Sequence, residues 1–163
     1  MKPDFNEAGV LHRSEMYIPY PSDFAKRNLF WTDRCGWYFV NRNYMTSRIT
    51  PYEWRFIMFY IIKGEMPCIT PGREEAARSG DMVFIDARHP HIYAANTDTE
   101  FFGIHFDGNC SEAVMERICS RSNIYTLPVS CGASRMLYDF FNGLQKGDPI
   151  PEEKFSAYVH TIL

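Results

Sequence analysis

The sequence contains no C-x-x-C pair, no long apolar run and no excess of positive charge. Its five cysteines (Cys35, Cys68, Cys110, Cys119 and Cys131) are odd in number and scattered. That pattern argues against a disulfide framework and against a zinc ribbon, and reads as reduced thiols in a cytosol. The longest uninterrupted apolar stretch, Phe56 to Ile62, is far too short to span a bilayer, and no basic segment followed by an apolar run opens the chain. A cytoplasmic location without membrane contact is the expectation. A formal net charge of −3 leaves no basic surplus for gripping nucleic-acid phosphates, so this segment is not expected to hold DNA by itself. Also missing are G-x-S-x-G, H-E-x-x-H, a phosphate-cradling P-loop and a dinucleotide fingerprint. The acidic pairs Glu74 and Glu75, Asp98 and Glu100, and Glu152 and Glu153 fall in turns or at a helix start, where solvated charge explains them. No catalytic residue, cofactor or metal is assigned on this basis, and the chain is expected not to be an enzyme.

What is present is apolar and aromatic. Of 163 residues, 45% are hydrophobic and 16% aromatic, with thirteen Phe and ten Tyr, while 23% are charged. This composition suits one folded domain rich in strands. Up to about Gly108 the sequence reads as short segments separated by turns. The expected strands are Leu29 to Thr32, Gly36 to Asn41, Tyr44 to Arg48, Phe56 to Lys63, Met66 to Ile69, Glu74 to Ala77, Met82 to Ile85, His91 to Ala95 and Glu100 to Phe106. Thr70-Pro71-Gly72-Arg73 carries a type II turn signature, Pro presetting φ at the second position and Gly accepting positive φ at the third. Ser79-Gly80-Asp81 predicts a second tight reversal, and many strands with many sharp turns favour closure into a barrel.

Before the barrel, the opening stretch through Pro19 and Pro21 reads as an arm, with a strand within Leu11 to Ile18 and a short helix from Ser22 to Arg27. After Gly108 the spacing becomes helical. Ser111 is placed to cap a helix carrying Val114, Met115, Ile118 and Cys119. A second helix from Ser134 repeats the pattern with Met136, Leu137, Phe140, Phe141 and Leu144 and stops at Gly147. A third follows Pro149 and Pro151, with Glu152 and Glu153 suiting its dipole and Phe155, Val159, Ile162 and Leu163 on one side. Its pattern is unfinished at Leu163, which predicts a longer protein. The fold class expected is mainly β, a cupin-like barrel of the double-stranded β-helix or jelly-roll kind, followed by C-terminal α-helices. The corresponding divisions are an arm at 1–28, a barrel at 29–108 and a helical segment at 109–163.

Three histidines, His89, His91 and His105, fall in the strand region, where gathered imidazoles could hold a metal. His89 belongs to the turn ending at Pro90 and is expected in solvent, which leaves His91 and His105, and the neighbouring run Phe56 to Ile62 supplies no further ligand. Alternation along Glu100 to Phe106 puts Phe101, Gly103 and His105 on one face and Phe102, Ile104 and Phe106 on the other. Glycine inside a strand supplies no packing and marks a close approach, so Gly103 reads as a notch for a ligand. Tyr93 and His91 add to this face from one strand, and Tyr44, Thr46 and Arg48 from another. An arginine facing a barrel interior needs acceptors, which a bound sugar or carboxylate would supply; a surface ion pair for Arg48 and an ordinary aromatic core is the plainer alternative.

Four runs, taken in order, resemble a known family: Tyr60-Ile61-Ile62-Lys63-Gly64, Gly80-Asp81-Met82-Val83-Phe84-Ile85, His91-Ile92-Tyr93 and Ile104-His105-Phe106-Asp107-Gly108. Together with Cys35-Gly36 and Arg48 upstream, they are similar to the N-terminal domain of AraC-type transcription regulators. The resemblance implies a cupin-like barrel that binds a small effector, commonly a sugar, and helices that pair two subunits. It also implies a following DNA-binding domain with helix-turn-helix units, absent from this chain. On this reading the effector site comprises Arg48, Tyr93, His105, Phe101, Gly103, His91, Thr46 and Tyr44, and the homodimer forms through the C-terminal helices, chiefly the one carrying Met136 to Leu144. DNA contact comes only through the missing domain. The alternative is a metal-dependent cupin enzyme acting on a sugar or small acid, from which the chain departs by lacking the first cupin motif's His-x-His.

Overall fold

The computed structural model describes residues 7–50, 56–108, 110–128, 131–149 and 151–163. Its strands are β1 (Glu15–Tyr17), β2 (Trp31–Val40), β3 (Met45–Arg48), β4 (Phe56–Lys63), β5 (Glu65–Thr70), β6 (Arg73–Arg78), β7 (Asp81–Asp86), β8 (His91–Ala94), β9 (Thr99–Asp107) and β10 (Ile124–Thr126). The helices are α1 (Asp23–Asn28), α2 (Ser111–Cys119), α3 (Ala133–Lys146) and α4 (Glu152–Ile162). A six-stranded sheet in the order β1-β2-β9-β4-β7-β10 faces a four-stranded sheet in the order β3-β8-β5-β6. All pairings are antiparallel. The chain is thus mainly β, two sheets rolled against one another with helices following, as the sequence predicts.

The run Phe56 to Ile62 explains the layering. A strand that is apolar at every position must be covered on both faces, and β4 lies in the middle of the six-stranded sheet. Its Ile57, Phe59 and Ile61 point between the sheets with Val83 and Ile85 of β7, while Phe56 and Met58 join Met82, Phe84 and Phe102 under the helices. Two cores result, one inside the barrel and one between the six-stranded sheet and the helical layer. In the second, the ring of Phe141 on α3 lies parallel to that of Phe102 at 4.3 Å, and Tyr138 meets Phe102 edge-on at 5.1 Å. Phe155 and Val159 of α4 and Met115 of α2 complete it.

Several sequence expectations are corrected. The two strands expected at Leu29 to Thr32 and Gly36 to Asn41 are one, β2, interrupted by a bulge: Trp31 pairs with Asp107 and Arg34 with His105, so the intervening stretch of β2 carries an extra residue. The arm is shorter as a strand than Leu11 to Ile18, and it is stitched into the sheet through β1; its first six residues lie outside those described. Ser22, not an element interior, caps α1 by accepting from the Ala25 N–H. Ser111 does not cap α2. It is the helix's first residue, is buried, and donates its hydroxyl to Asp107. The segment after 109 also contributes a strand, β10, beside β7. The turn through Pro71 and Gly72 joins β5 to β6 with Gly72 at φ +76°, as its residues require.

The arm and α4 are tied together. The backbone N–H and hydroxyl of Ser22 both donate to the Glu152 carboxylate at 2.6 Å, and the Phe30 N–H donates to the Ser156 hydroxyl at 3.1 Å. Of the apolar positions of α3 expected at a dimer surface, Leu137 and Phe141 are buried in the core and Phe140 meets Phe155 and Tyr158 of α4, while Met136 and Leu144 stay half-buried. Sequence spacing counted those positions correctly but did not place α4 against them.

Candidate functional site

Between the sheets, where β3 and β8 form one wall and β2, β9 and β4 the other, lies an internal cavity of about 40 Å³. All eight residues expected at an effector site line it. Strand pairing accounts for the convergence. Across β3 and β8, Thr46 stands opposite Tyr93 and Arg48 opposite His91. Across β9, His105 is flanked by Arg34 on β2 and Ile57 on β4, Gly103 by Gly36 and Phe59, and Phe101 by Tyr38. Tyr44 is not part of β3, which begins one residue later, yet it is buried and reaches the cavity from the preceding turn.

Aromatic rings close one end. Tyr38 lies nearly parallel to Phe101 at 5.0 Å and 14°, and Phe59 meets Tyr93 at 4.8 Å and Phe101 at 5.3 Å, both edge-on. The notch that Gly103 leaves is taken by the chain itself: a Cβ there would come within 3.2 Å of Tyr38 Cε2. Sequence alternation found the gap but had no means of seeing that Tyr38, from a neighbouring strand, fills it. The other end is polar and open. Arg48 lines the cavity but remains exposed to solvent, so its guanidinium does not bear the desolvation cost expected of an interior arginine.

Three lining residues carry charge or hydrogen-bonding groups that sequence reasoning did not assign: Arg34, Tyr38 and Glu7. The β2 bulge brings Arg34 opposite His105, and nothing in the local pattern signals a bulge. Tyr38 shares parity with Gly36 and was findable from that alternation. Glu7 belongs to the arm, where no periodicity points inward.

The electrostatics favour neutral histidines and protonated phenols. Burial first, then Arg34, His91 and Arg48, push His105 down to about 3. His91 is also lowered, by burial foremost and by Arg48, although the carbonyl of His89, which accepts from its Nδ1 at 2.8 Å, works the other way. Burial holds Tyr38, Tyr44 and Tyr93 above the usual phenol range, so each stays a donor. His89 lies outside the cavity, exposed beside Asp86 at 3.7 Å. Among the described residues, no three His, Cys, Asp or Glu side chains gather as a metal would require.

A larger cavity, about 760 Å³, lies elsewhere, between the arm, the start of β2 and the α3–α4 turn; Ile18, Tyr20, Trp31, Leu144 and Phe155 are among its walls. It is mostly apolar, and although Tyr17 and Tyr20 line it no cationic side chain does, so size alone does not select it.

No protein-family model matches the chain, and no curated protein matches it. Solved structures do. The AraC-like transcriptional activator CuxR is similar over 91% of this chain and 58% of its own, with TM-score 0.60 and 10% identity. A cupin 2 conserved barrel domain protein from Leptotrichia buccalis is similar over 77% of this chain and 47% of its own, with TM-score 0.49 and 12% identity. The cupin_2 domain of an XRE family transcriptional regulator from Enterobacter cloacae is similar over 58% of this chain and 97% of its own, with TM-score 0.42 and 18% identity. This chain therefore spans about half the length of the first two. Of the three likenesses only the first carries weight, and its coverage takes in barrel and helices together: the chain shares its fold with that AraC-like activator.

Proposed function

We propose that the chain is the effector-sensing and dimerisation module of a transcription regulator, binding a small molecule, a sugar or related metabolite, between its two sheets. The observation that carries this reading is the convergence of Arg34, Arg48, His91, His105 and three tyrosines on one internal cavity. The fold shared with an AraC-like activator supports it. DNA binding then belongs to a further domain, consistent with the net charge of −3, and self-association to the helical layer, where the exposed Tyr20 and Phe24 of the neighbouring arm extend the apolar surface.

A cavity of about 40 Å³ admits roughly three waters, well short of the ~300 Å³ at which small-molecule sites begin. A small molecule therefore fits between the sheets only if lining residues move aside. The test is a thermal-shift screen of sugars and small metabolic acids with the purified chain, repeated with Arg48→Ala. A saturable stabilisation that the variant loses supports the reading. A chain that consumes the compound it binds, or carries stoichiometric metal on His91 and His105, returns the cupin-enzyme alternative.

A further inference from the structure

The larger cavity, about 760 Å³, is kept open by the way the arm crosses it. Strand β1 ends at Tyr17, which pairs with Cys35 of β2. Shortly after, the Ser22 N–H and hydroxyl are tied to Glu152 of α4. Between these anchors runs Ile18-Pro19-Tyr20-Pro21. Each proline fixes its own φ, donates no backbone hydrogen bond and holds the residue before it extended. A stretched span fastened at both ends does not sink into the space it walls, which Trp31 and Phe155 also line. Tyr20 is left 91% exposed and Ile18 50% at the rim, and the volume falls within the ~300–1,000 Å³ of small-molecule sites.

The lining is aromatic and its charge is of one sign. Tyr17, Tyr20, Phe30, Trp31 and Phe155 supply rings, the charged side chains are Asp148 and Glu152, and no Lys, Arg or His is among the described lining residues. The two Ser22 donors hold Glu152 below the usual carboxylate range. Asp148 is exposed and makes no side-chain hydrogen bond or ion pair among the described residues. In the adjoining groove between α3 and α4 the cation is Lys154, which lies over the Tyr158 ring at 5.6 Å. A neutral apolar occupant would strip water from the carboxylates without pairing them, and an anion would be repelled. A cation on an apolar body answers both features, because carboxylates and ring faces each attract it while the aliphatic walls cover the rest.

We infer that this cavity is a second binding site, separate from the one between the sheets, and that its ligand is an amphipathic amine: an apolar body seated among Tyr20, Trp31 and Phe155 with its cationic head toward Asp148. The two cavities share no described lining residue, so the site does not depend on the effector reading. Binding needs no covalent step.

The test compares 4-phenylbutylamine, 4-phenylbutanol and 4-phenylbutyrate, one skeleton with three head groups. Each is titrated into the 163-residue chain at constant ionic strength, followed by calorimetry and by tryptophan fluorescence. The amine is expected to bind saturably, the alcohol at least fivefold more weakly and the acid more weakly still. Asp148→Asn should remove the amine's advantage over the alcohol while leaving the alcohol's affinity within twofold. Tyr20→Ala should weaken amine and alcohol alike, threefold or more. Both residues are exposed, so neither variant threatens the fold. The amine should change the fluorescence of the parent chain, and Trp31→Phe should abolish that change while calorimetric binding persists. Equal affinities for the three compounds, an undiminished amine preference in Asp148→Asn, no saturable amine binding, or a fluorescence change that is absent from the parent or survives Trp31→Phe would each overturn the inference. So would loss of amine binding as the chain self-associates, because the occupant of the cavity would then be a second copy of the chain.

Discussion

The two glycines that face each other across β2 and β9 give the sharpest test of how the barrel interior is packed. Gly36 and Gly103 are register partners, and the ring of Tyr38 lies across both. A methyl at position 103 would meet Tyr38 Cε2 at 3.2 Å and Phe59 Cδ1 at 3.4 Å, both ends of side chains that can move by a few tenths of an ångström. A methyl at position 36 would meet Tyr38 Cε2 at 2.6 Å and the Glu15 backbone oxygen at 2.8 Å. The second contact is with a strand held by the β1–β2 ladder, so relief there means breaking sheet hydrogen bonds. Overpacking of this kind costs about 1–3 kcal/mol, and Gly36→Ala belongs at the upper end, about 3 kcal/mol, or on the order of 10 °C in Tm for a domain of this size. Gly103→Ala costs about 1 kcal/mol by the same measure, offset by the ~0.4–1 kcal/mol gained from a less flexible unfolded chain. Its net stability change is near zero, while its methyl occupies cavity space and lowers ligand affinity. Urea unfolding of the two variants, compared at a common m-value, measures the difference. The packing argument fails if Gly36→Ala unfolds within about 0.5 kcal/mol of the parent, the scatter of ordinary neutral substitutions, or if the two variants are equally destabilised.

Phe141→Ala removes the ring stacked on Phe102 and should cost about 3–5 kcal/mol, read as a lower urea midpoint. Glu152→Gln weakens the clamp on Ser22 and should speed proteolytic cleavage of the arm without altering the barrel's circular dichroism. Acidification should destabilise the chain through His105: its folded value of about 3 lies below its ordinary 6.5, so the unfolded chain binds the extra proton, and the contribution is complete above about pH 6.5 and lost as pH falls toward 3. Asp33 acts in the opposite sense, because burial raises it from 3.8 to about 6, so its contribution is present below pH 3.8 and lost as pH rises through 6. Asp33→Asn should therefore raise the melting temperature at pH 7 and steepen the acid loss measured by thermal melting.

Much of this architecture was legible because the chain states it twice. Strands β4 and β9 are apolar on both faces, which demands a covered central position, and alternation along β9 separates Phe101, Gly103 and His105 from Phe102, Ile104 and Phe106 as the two cores do. What stayed hidden depends on partners distant in sequence. The bulge after Trp31 is a relation between β2 and β9, so no window along β2 alone could orient Arg34. The filling of the Gly103 notch needs the side-chain direction of Tyr38, which lies sixty-odd positions away in the chain but one strand away in space. The apolar excess of α3 was read as a surface for a second subunit, and spacing along α3 alone could not show that its Phe140 packs on α4. Strand β10 is only three residues long and follows α2, so helical spacing masked it.

Glu7 brings the arm into the lining of the cavity, so an occupant that moves Glu7 distinguishes two positions of the arm, and a ligand shifts an equilibrium only through such a difference. From the cavity the arm runs by the Val10–Val40 bridge and the Ser14–Phe39 hydrogen bonds into β1, and then to Ser22, whose donors end on Glu152 at the start of α4. The route thus joins the mouth of the barrel to the helical layer through hydrogen bonds that are exposed or half-buried. Such bonds open at lower free energy than those of the buried strands. Coupling of about 1–3 kcal/mol along this route suffices to alter a regulator's occupancy. Hydrogen exchange therefore has a definite expectation: a compound that stabilises the chain in the thermal-shift screen should, at saturation, speed exchange at the amides of Leu11, Ser14 and Ser22 while slowing those of β3 and β8 beside the cavity. Slower exchange in β3 and β8 with no change along the arm would mean that occupancy of the barrel reaches the helices by the six-stranded sheet instead, through Phe102 and Phe141.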